Sequence, residues 1–173
     1  MIKDFGRTEN ERKAPRTNQK TLRDGFDTMN SILLVDSETV VATAVQATLK
    51  RFGFEVDMAD SGKAAHACLS KAQFDLILVD FDLSPRPNGE AVLEPSKSAT
   101  GCWSGTGLIR ELRAARITSP ILVYTVLEGE LYETASLDAG ADDYVVKKAP
   151  ISILLSRLQA HLRRSERDLG CQS

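Results

Sequence analysis

The sequence predicts an α/β fold: a doubly wound, open sheet of five parallel strands with helices on both faces. Three observations lead there. Short continuous apolar runs recur, as strands buried on both faces require. Between them lie segments with apolar residues at helical spacing. The two kinds of segment alternate strictly, five times over, and strands joined by right-handed helical crossovers are parallel with helices on either side.

The elements follow in order. Residues 32–35 (Ile-Leu-Leu-Val) form the first strand. Val41, Ala44, Val45, Thr48, Leu49 and Phe52 then share one helical face, and Gly53 stops that helix. Residues 54–58 alternate apolar and acidic side chains, the period of a second strand. Asp60 and Ser61 are cap candidates for a helix through Cys68 and Leu69. Residues 74–79 are the third strand, and Leu108, Ile109 and Leu112 open a helix after Gly107. Residues 120–124 form the fourth strand, and a helix through Leu131, Ala135 and Leu137 ends at Gly140. Tyr144, Val145 and Val146 form the last strand. Pro150 then introduces a helical stripe of Ile151, Leu154, Leu155, Leu158 and Leu162.

Length and composition bound the function. The chain has 173 residues and 42% are hydrophobic, enough for a core, which excludes a wholly disordered protein. No apolar run approaches the roughly 20 residues of a membrane span. The first 29 residues are polar and mixed in charge, without the apolar centre of a secretory signal, so the expected location is cytoplasmic. A net charge of −2 argues against a broad nucleic-acid footprint. Cys68, Cys102 and Cys171 lack metal-type spacing, and an odd count suits a reducing compartment. The expected organisation is an extension over residues 1–30, a domain over 31–165 and a tail over 166–173.

In open parallel sheets the chemistry lies outside the carboxyl ends of the strands. The residue after each buried run is Asp36, Asp80, Thr125 and Lys147 in turn. Each alone reads as a cap or turn residue; four polar groups on one rim do not. Two neighbouring carboxylates repel unless a cation lies between them. Mg²⁺ is held by one or two carboxylates with waters and phosphate oxygens. An ammonium and a hydroxyl complete a set that suits a phosphoryl group, and an aspartate can itself accept one.

With these residues in place, the sequence resembles the receiver domains of two-component response regulators. Val35-Asp36-Ser37-Glu38 resembles the family's acidic turn, and residues 74–83 (FDLILVDFDL) its phosphoacceptor strand. Residues 121–126 around Thr125 are similar to the switch-hydroxyl strand, and residues 140–147 (GADDYVVK) to the final strand. The resemblance covers about residues 31–164. It implies a flavodoxin-like strand order, 2-1-3-4-5. It implies Asp80 as phosphoacceptor and Mg²⁺ held by Asp36, Asp80 and the backbone carbonyl of Asp82. It further implies Thr125 on the phosphoryl group, Tyr144 as the aromatic switch partner and Lys147 paired with Asp80. The partners implied are a histidine kinase or phosphotransfer protein and a downstream protein target. Such a chain is no enzyme beyond catalysing its own phosphorylation.

The pattern is also broken. Ser37 stands where the family has a second acid, so Mg²⁺ affinity should fall; Glu38 either compensates or merely suits a helix start. Lys148 replaces a proline that follows a cis bond, and a trans bond is expected here. Val126 is larger than usual and narrows access to Asp80. About eighteen extra residues lie between residues 84 and 107, an inserted loop placed at about 84–106. They include Trp103, the only tryptophan, and read either as a surface excursion or as a lid or partner element. His66 and His161 read as structural. Asp142 and Asp143, with Arg157, Arg163 and Arg164, read either as solvated charges or as the pairing set of a homodimer. That dimer would use the fourth helix, fifth strand and fifth helix. Two rival functions remain at this level. One is a degenerate receiver that binds a protein without being phosphorylated. The other is a haloacid-dehalogenase-type phosphatase with Asp80 as nucleophile, Asp82 as acid/base and Asp142–Asp143 as metal-binding acids.

Overall fold

The structure, a computed structural model, describes residues 29–84 and 104–170. Its elements are β1 (Ser31–Val35), α1 (Thr39–Arg51), β2 (Glu55–Ala59), α2 (Gly62–Leu69), β3 (Leu76–Val79), α3 (Gly105–Ala114), β4 (Ile121–Thr125), α4 (Glu130–Asp138), β5 (Asp143–Val146) and α5 (Ile151–Gly170). All four strand pairings are parallel, and the order is β2-β1-β3-β4-β5. The expected doubly wound architecture is borne out.

The sheet divides the core in two. Leu33 and Val35 of β1 point to one side, with Ala65 of α2, Leu108, Ile109 and Leu112 of α3, and Tyr144 of β5. Ile32 and Leu34 point to the other, with Ala42, Val45 and Leu49 of α1 and Leu154, Leu158 and Leu162 of α5. Strands β3 and β4 are buried at every position, because helices cover both of their faces. Asp75, a charge just before β3, accepts hydrogen bonds from the Ser31 backbone and hydroxyl at 2.8 and 2.9 Å.

Local expectations differ from the structure in five places. The buried face of α1 is Ala42, Val45 and Leu49, while Ala44 and Phe52 are exposed. Phe52 is the C-cap and Gly53 follows at φ +86°, so the chain leaves the helical path there. Strand β2 is an edge strand, and Met58 is partly exposed rather than buried in alternation. In α4 the inward residue is Ser136, which donates its hydroxyl to the Tyr132 carbonyl, while Leu131 is 76% exposed. Helix α3 begins at Gly105, so Gly105 and Thr106 belong to it rather than to the inserted loop, and α5 runs on past residue 165 to Gly170. Trp103, Cys102, Cys171 and residues 1–28 lie outside the described residues.

Candidate functional site

Asp36 and Asp80 stand just past the carboxyl ends of the adjacent strands β1 and β3, where the strand order reverses. Backbone bonds fix both: the Asp36 N–H donates to the Ala59 carbonyl at 3.0 Å, and the Asp80 N–H to the Val35 carbonyl at 2.8 Å. Lys147 follows β5 and is anchored by its N–H on the Thr125 carbonyl at 2.6 Å. Its Nζ donates to Asp36 Oδ2 at 2.6 Å and to Asp80 Oδ2 at 2.7 Å. The three side chains are 7%, 1% and 6% exposed, so the ion triad is nearly dry. Burial works against the ammonium, but the Asp80 and Asp36 carboxylates outweigh it and push the Lys147 pKa up from the usual lysine value. Burial pushes the Asp36 carboxyl up, with the Lys147 hydrogen bond and charge pulling the other way. With both contacts this short and dry, the direction that governs the site is the lysine's: it stays charged between the two carboxylates.

The remaining acceptors have protein donors as well. Asp36 Oδ1 accepts the Glu38 N–H at 2.8 Å, and Asp80 Oδ1 accepts the Asp82 N–H at 3.3 Å. The Ser37 hydroxyl lies 3.4 Å from the Asp82 carbonyl and 3.3 Å from the Ser84 carbonyl, both long bonds. The Glu38 side chain is exposed and makes no cap bond on α1. Among the described residues no group of three or more His, Cys, Asp or Glu side chains could hold a metal. The Asp36 and Asp80 carboxylates and the Asp82 carbonyl are nonetheless all hard oxygen donors, the kind Mg²⁺ takes.

Thr125 ends β4 and is fully buried. Its Oγ1 accepts the Leu127 N–H at 3.4 Å, while the Tyr144 hydroxyl donates to the Leu127 carbonyl at 2.8 Å. The two residues paired by the sequence reading thus grip the same residue of the β4–α4 turn. Burial, with nearby acidic groups, raises the Tyr144 pKa to about 12. Val126 points outward at 52% exposure. The Lys147–Lys148 bond is trans, as expected, and Lys147 still reaches both carboxylates. Lys148 meets Glu128 at 3.4 Å on the surface.

Several groups escaped the sequence reading. The Tyr124 ring lies 5.9 Å from Lys147 Nζ, and its place beside Thr125 at the carboxyl end of β4 was the available signal. Gly105 abuts the loop that follows β3: a Cβ there would stand 2.1 Å from the Asp80 carbonyl oxygen. Its N–H donates to the Phe81 carbonyl at 2.8 Å, and Asp82 and Ser104 form an antiparallel bridge. Arg113 donates to the carbonyls of Gly140, Ile117 and Ser119 and to Asp142.

One expectation changes. Asp142 and Asp143 lie at the start of β5, the end of the parallel sheet opposite to Asp80, so they cannot serve as metal-binding acids beside it. Their charges are also engaged within the chain: Asp142 by Arg113 at 2.5 Å, Asp143 by Arg157 at 2.6 Å and His161 at 3.2 Å. Burial would raise the Asp143 pKa, but Arg157, the Tyr144 N–H and His161 outweigh it and lower it. His66, read as structural, faces Glu111 at 3.3 Å.

Comparison with known proteins fits this geometry. The family model described as "Response regulator receiver domain" matches residues 32–95. The BeF3-activated receiver domain of RstA from Klebsiella pneumoniae is 30% identical, with a TM-score of 0.63 over 78% of this chain and 99% of that one. The chain belongs to the response-regulator receiver domain family. Sensory transduction protein RegX3 of Mycobacterium tuberculosis is 31% identical over 81% of this chain and 54% of its own. Regulatory protein VanRB of Enterococcus faecalis is 35% identical over 78% and 53%. This receiver therefore spans about half the length of the curated relatives it matches. Receivers of this family are generally signalling modules of two-component systems and generally bind Mg²⁺ at the phosphorylation site. No helix among the described residues is long and apolar enough to cross a membrane.

Proposed function

We propose that this receiver accepts a phosphoryl group on Asp80 from a histidine kinase or phosphotransfer protein. It then signals through altered protein contacts. The observation that carries the reading is the Lys147 ammonium held at 2.6 and 2.7 Å between the Asp36 and Asp80 carboxylates. An Asp80 oxygen attacks phosphorus as the phosphorus–nitrogen bond of the donor's phosphohistidine breaks, and the imidazole leaves. Mg²⁺, held by Asp36, Asp80 and the Asp82 carbonyl, would supply positive charge to the phosphoryl oxygens. Lys147 turns from the free carboxylate to a phosphoryl oxygen, and Thr125 offers its hydroxyl to another. In doing so Thr125 releases the Leu127 N–H, and the turn that Tyr144 also holds is freed to shift.

The expected setting is the cytoplasm, with a downstream protein as target and no direct contact with nucleic acid or membrane. The same shift would alter the face formed by α4, β5 and α5. There the exposed Leu131 and Leu137 support a phosphorylation-strengthened homodimer, with the Asp142 and Asp143 charges already engaged internally. Sedimentation with and without a phosphoryl mimic checks this, and an unchanged monomer contradicts it.

Ser37, a hydroxyl in place of an acid, favours the rival reading of a phosphorylation-independent binding module. Beryllium fluoride with Mg²⁺, a phosphoryl mimic, separates the two. A rise in unfolding temperature that disappears in Asp80→Ala supports the phosphoacceptor. No rise in the wild type, with a responsive control receiver, supports the binding module.

A further inference from the structure

The acceptor site is unusual in how its charges and hydrogen bonds are balanced. Two carboxylates face one ammonium, a net charge of −1 among these groups, and both oxygens of each carboxylate have protein donors. The position that decides the balance is Ser37. Its hydroxyl is a single donor shared, over long distances of 3.4 and 3.3 Å, between the carbonyls of Asp82 and Ser84. An aspartate there would turn acceptor against acceptor, and only a cation between them would relieve the repulsion. Glu38 supplies no replacement, since its side chain is exposed and its N–H is spent on Asp36.

We infer that Ser37 is a specificity-determining residue that makes this site metal-sparing: Lys147 and the Ser37 hydroxyl hold the acceptor loop together, and Mg²⁺ binds weakly and adds little to folding stability. The inference rests on Asp80 being the acceptor only for its biological meaning. The charge balance itself does not depend on phosphoryl transfer. The consequence is a receiver whose resting fold is insensitive to divalent cations and whose Mg²⁺ is recruited chiefly together with the incoming phosphoryl group, which brings its own negative charge.

The test is thermal unfolding of the full chain across a Mg²⁺ titration at constant ionic strength. Binding to the folded state alone raises the midpoint in proportion to the logarithm of ligand over dissociation constant. The wild type should show almost no rise at about 1 mM Mg²⁺, the weak end of dedicated divalent-cation sites. Ser37→Asp should start from a lower midpoint and regain it as Mg²⁺ is added, with an apparent affinity at least about tenfold tighter than wild type. Ser37→Ala should lose some stability and gain no Mg²⁺ response, and Glu38→Gln should behave as wild type. A wild type stabilised by Mg²⁺ as strongly as Ser37→Asp overturns the inference, as does a folded Ser37→Asp indifferent to Mg²⁺. Should Ser37→Asp fail to fold at any Mg²⁺ concentration, calorimetric titration of the wild type decides: saturation well below about 1 mM overturns the inference, and weaker binding upholds it. Failure to phosphorylate Asp80 would leave each of these readings unchanged, so the two accounts fail separately.

Discussion

Among the described residues, Lys147 is the cation that contacts both buried carboxylates, Asp36 and Asp80, and so offsets their mutual repulsion. Replacing it with methionine removes the charge but keeps the bulk. Breaking such a buried set should cost about 3–5 kcal/mol at neutral pH. Urea unfolding checks the loss, which should shrink in acid as one carboxyl takes a proton. In the wild type the raised Lys147 pKa means that its contribution is complete below the ordinary lysine value and fades only as pH rises beyond it. Asp143 has the opposite sign: its lowered pKa gives a contribution present above the ordinary aspartate value and lost as pH falls below it. Asp143→Asn should therefore flatten the acid limb of stability against pH, measured by unfolding between neutral pH and acid. Tyr144→Phe removes the bond to the Leu127 carbonyl and should cost about 1 kcal/mol. At this scale the sequence showed Asp36, Asp80, Thr125 and Lys147, because each follows an apolar run. It could not show the Ser37 contacts, which join residues 45 and 47 positions apart.

Among the elements, α3 has the narrowest tolerance. Its first residue must be glycine because the Asp80 backbone fills the space that a Cβ would need. Gly105→Ala should cost about 2 kcal/mol or more, since rigid backbone must move. It should also slow phosphoryl acceptance by displacing the loop that carries Asp80, and denaturant unfolding with a phosphorylation time course reads both. The far end of α3 is fastened by Arg113, which serves three carbonyls and Asp142 where Gly140 turns the chain at φ +105°. Arg113→Ala should cost about 2–3 kcal/mol, and Arg113→Lys should restore only part, because an ammonium lacks the planar fork. Helix positions were legible in the sequence because apolar residues recur at helical spacing. The inward face of α4 was not: it turns Ser136 inward and leaves Leu131 outside, against the pattern that hydrophobicity alone suggests.

Across the whole molecule, the sheet brings together groups that lie far apart in the chain: Lys147 is 111 residues from Asp36 and 67 from Asp80. Strict β-α alternation made that convergence readable in advance, since parallel strands bring all their carboxyl ends to one rim. The start of α3 was not readable, because Pro, Gly and Ser between residues 84 and 104 conceal that Asp82 and Ser104 meet. Since they meet, replacing residues 86–102 with a few glycines and serines should leave the sheet, the triad and cooperative unfolding intact; closing a shorter loop costs less chain entropy. Circular dichroism and unfolding of the shortened chain check this. The central claim is tested most directly by incubating the full chain with a small phosphodonor and Mg²⁺ and measuring its intact mass. The account predicts one added phosphoryl group on the wild type and none on Asp80→Asn. A wild type that gains no mass beside an active control receiver, or a variant that gains it equally, would contradict the account.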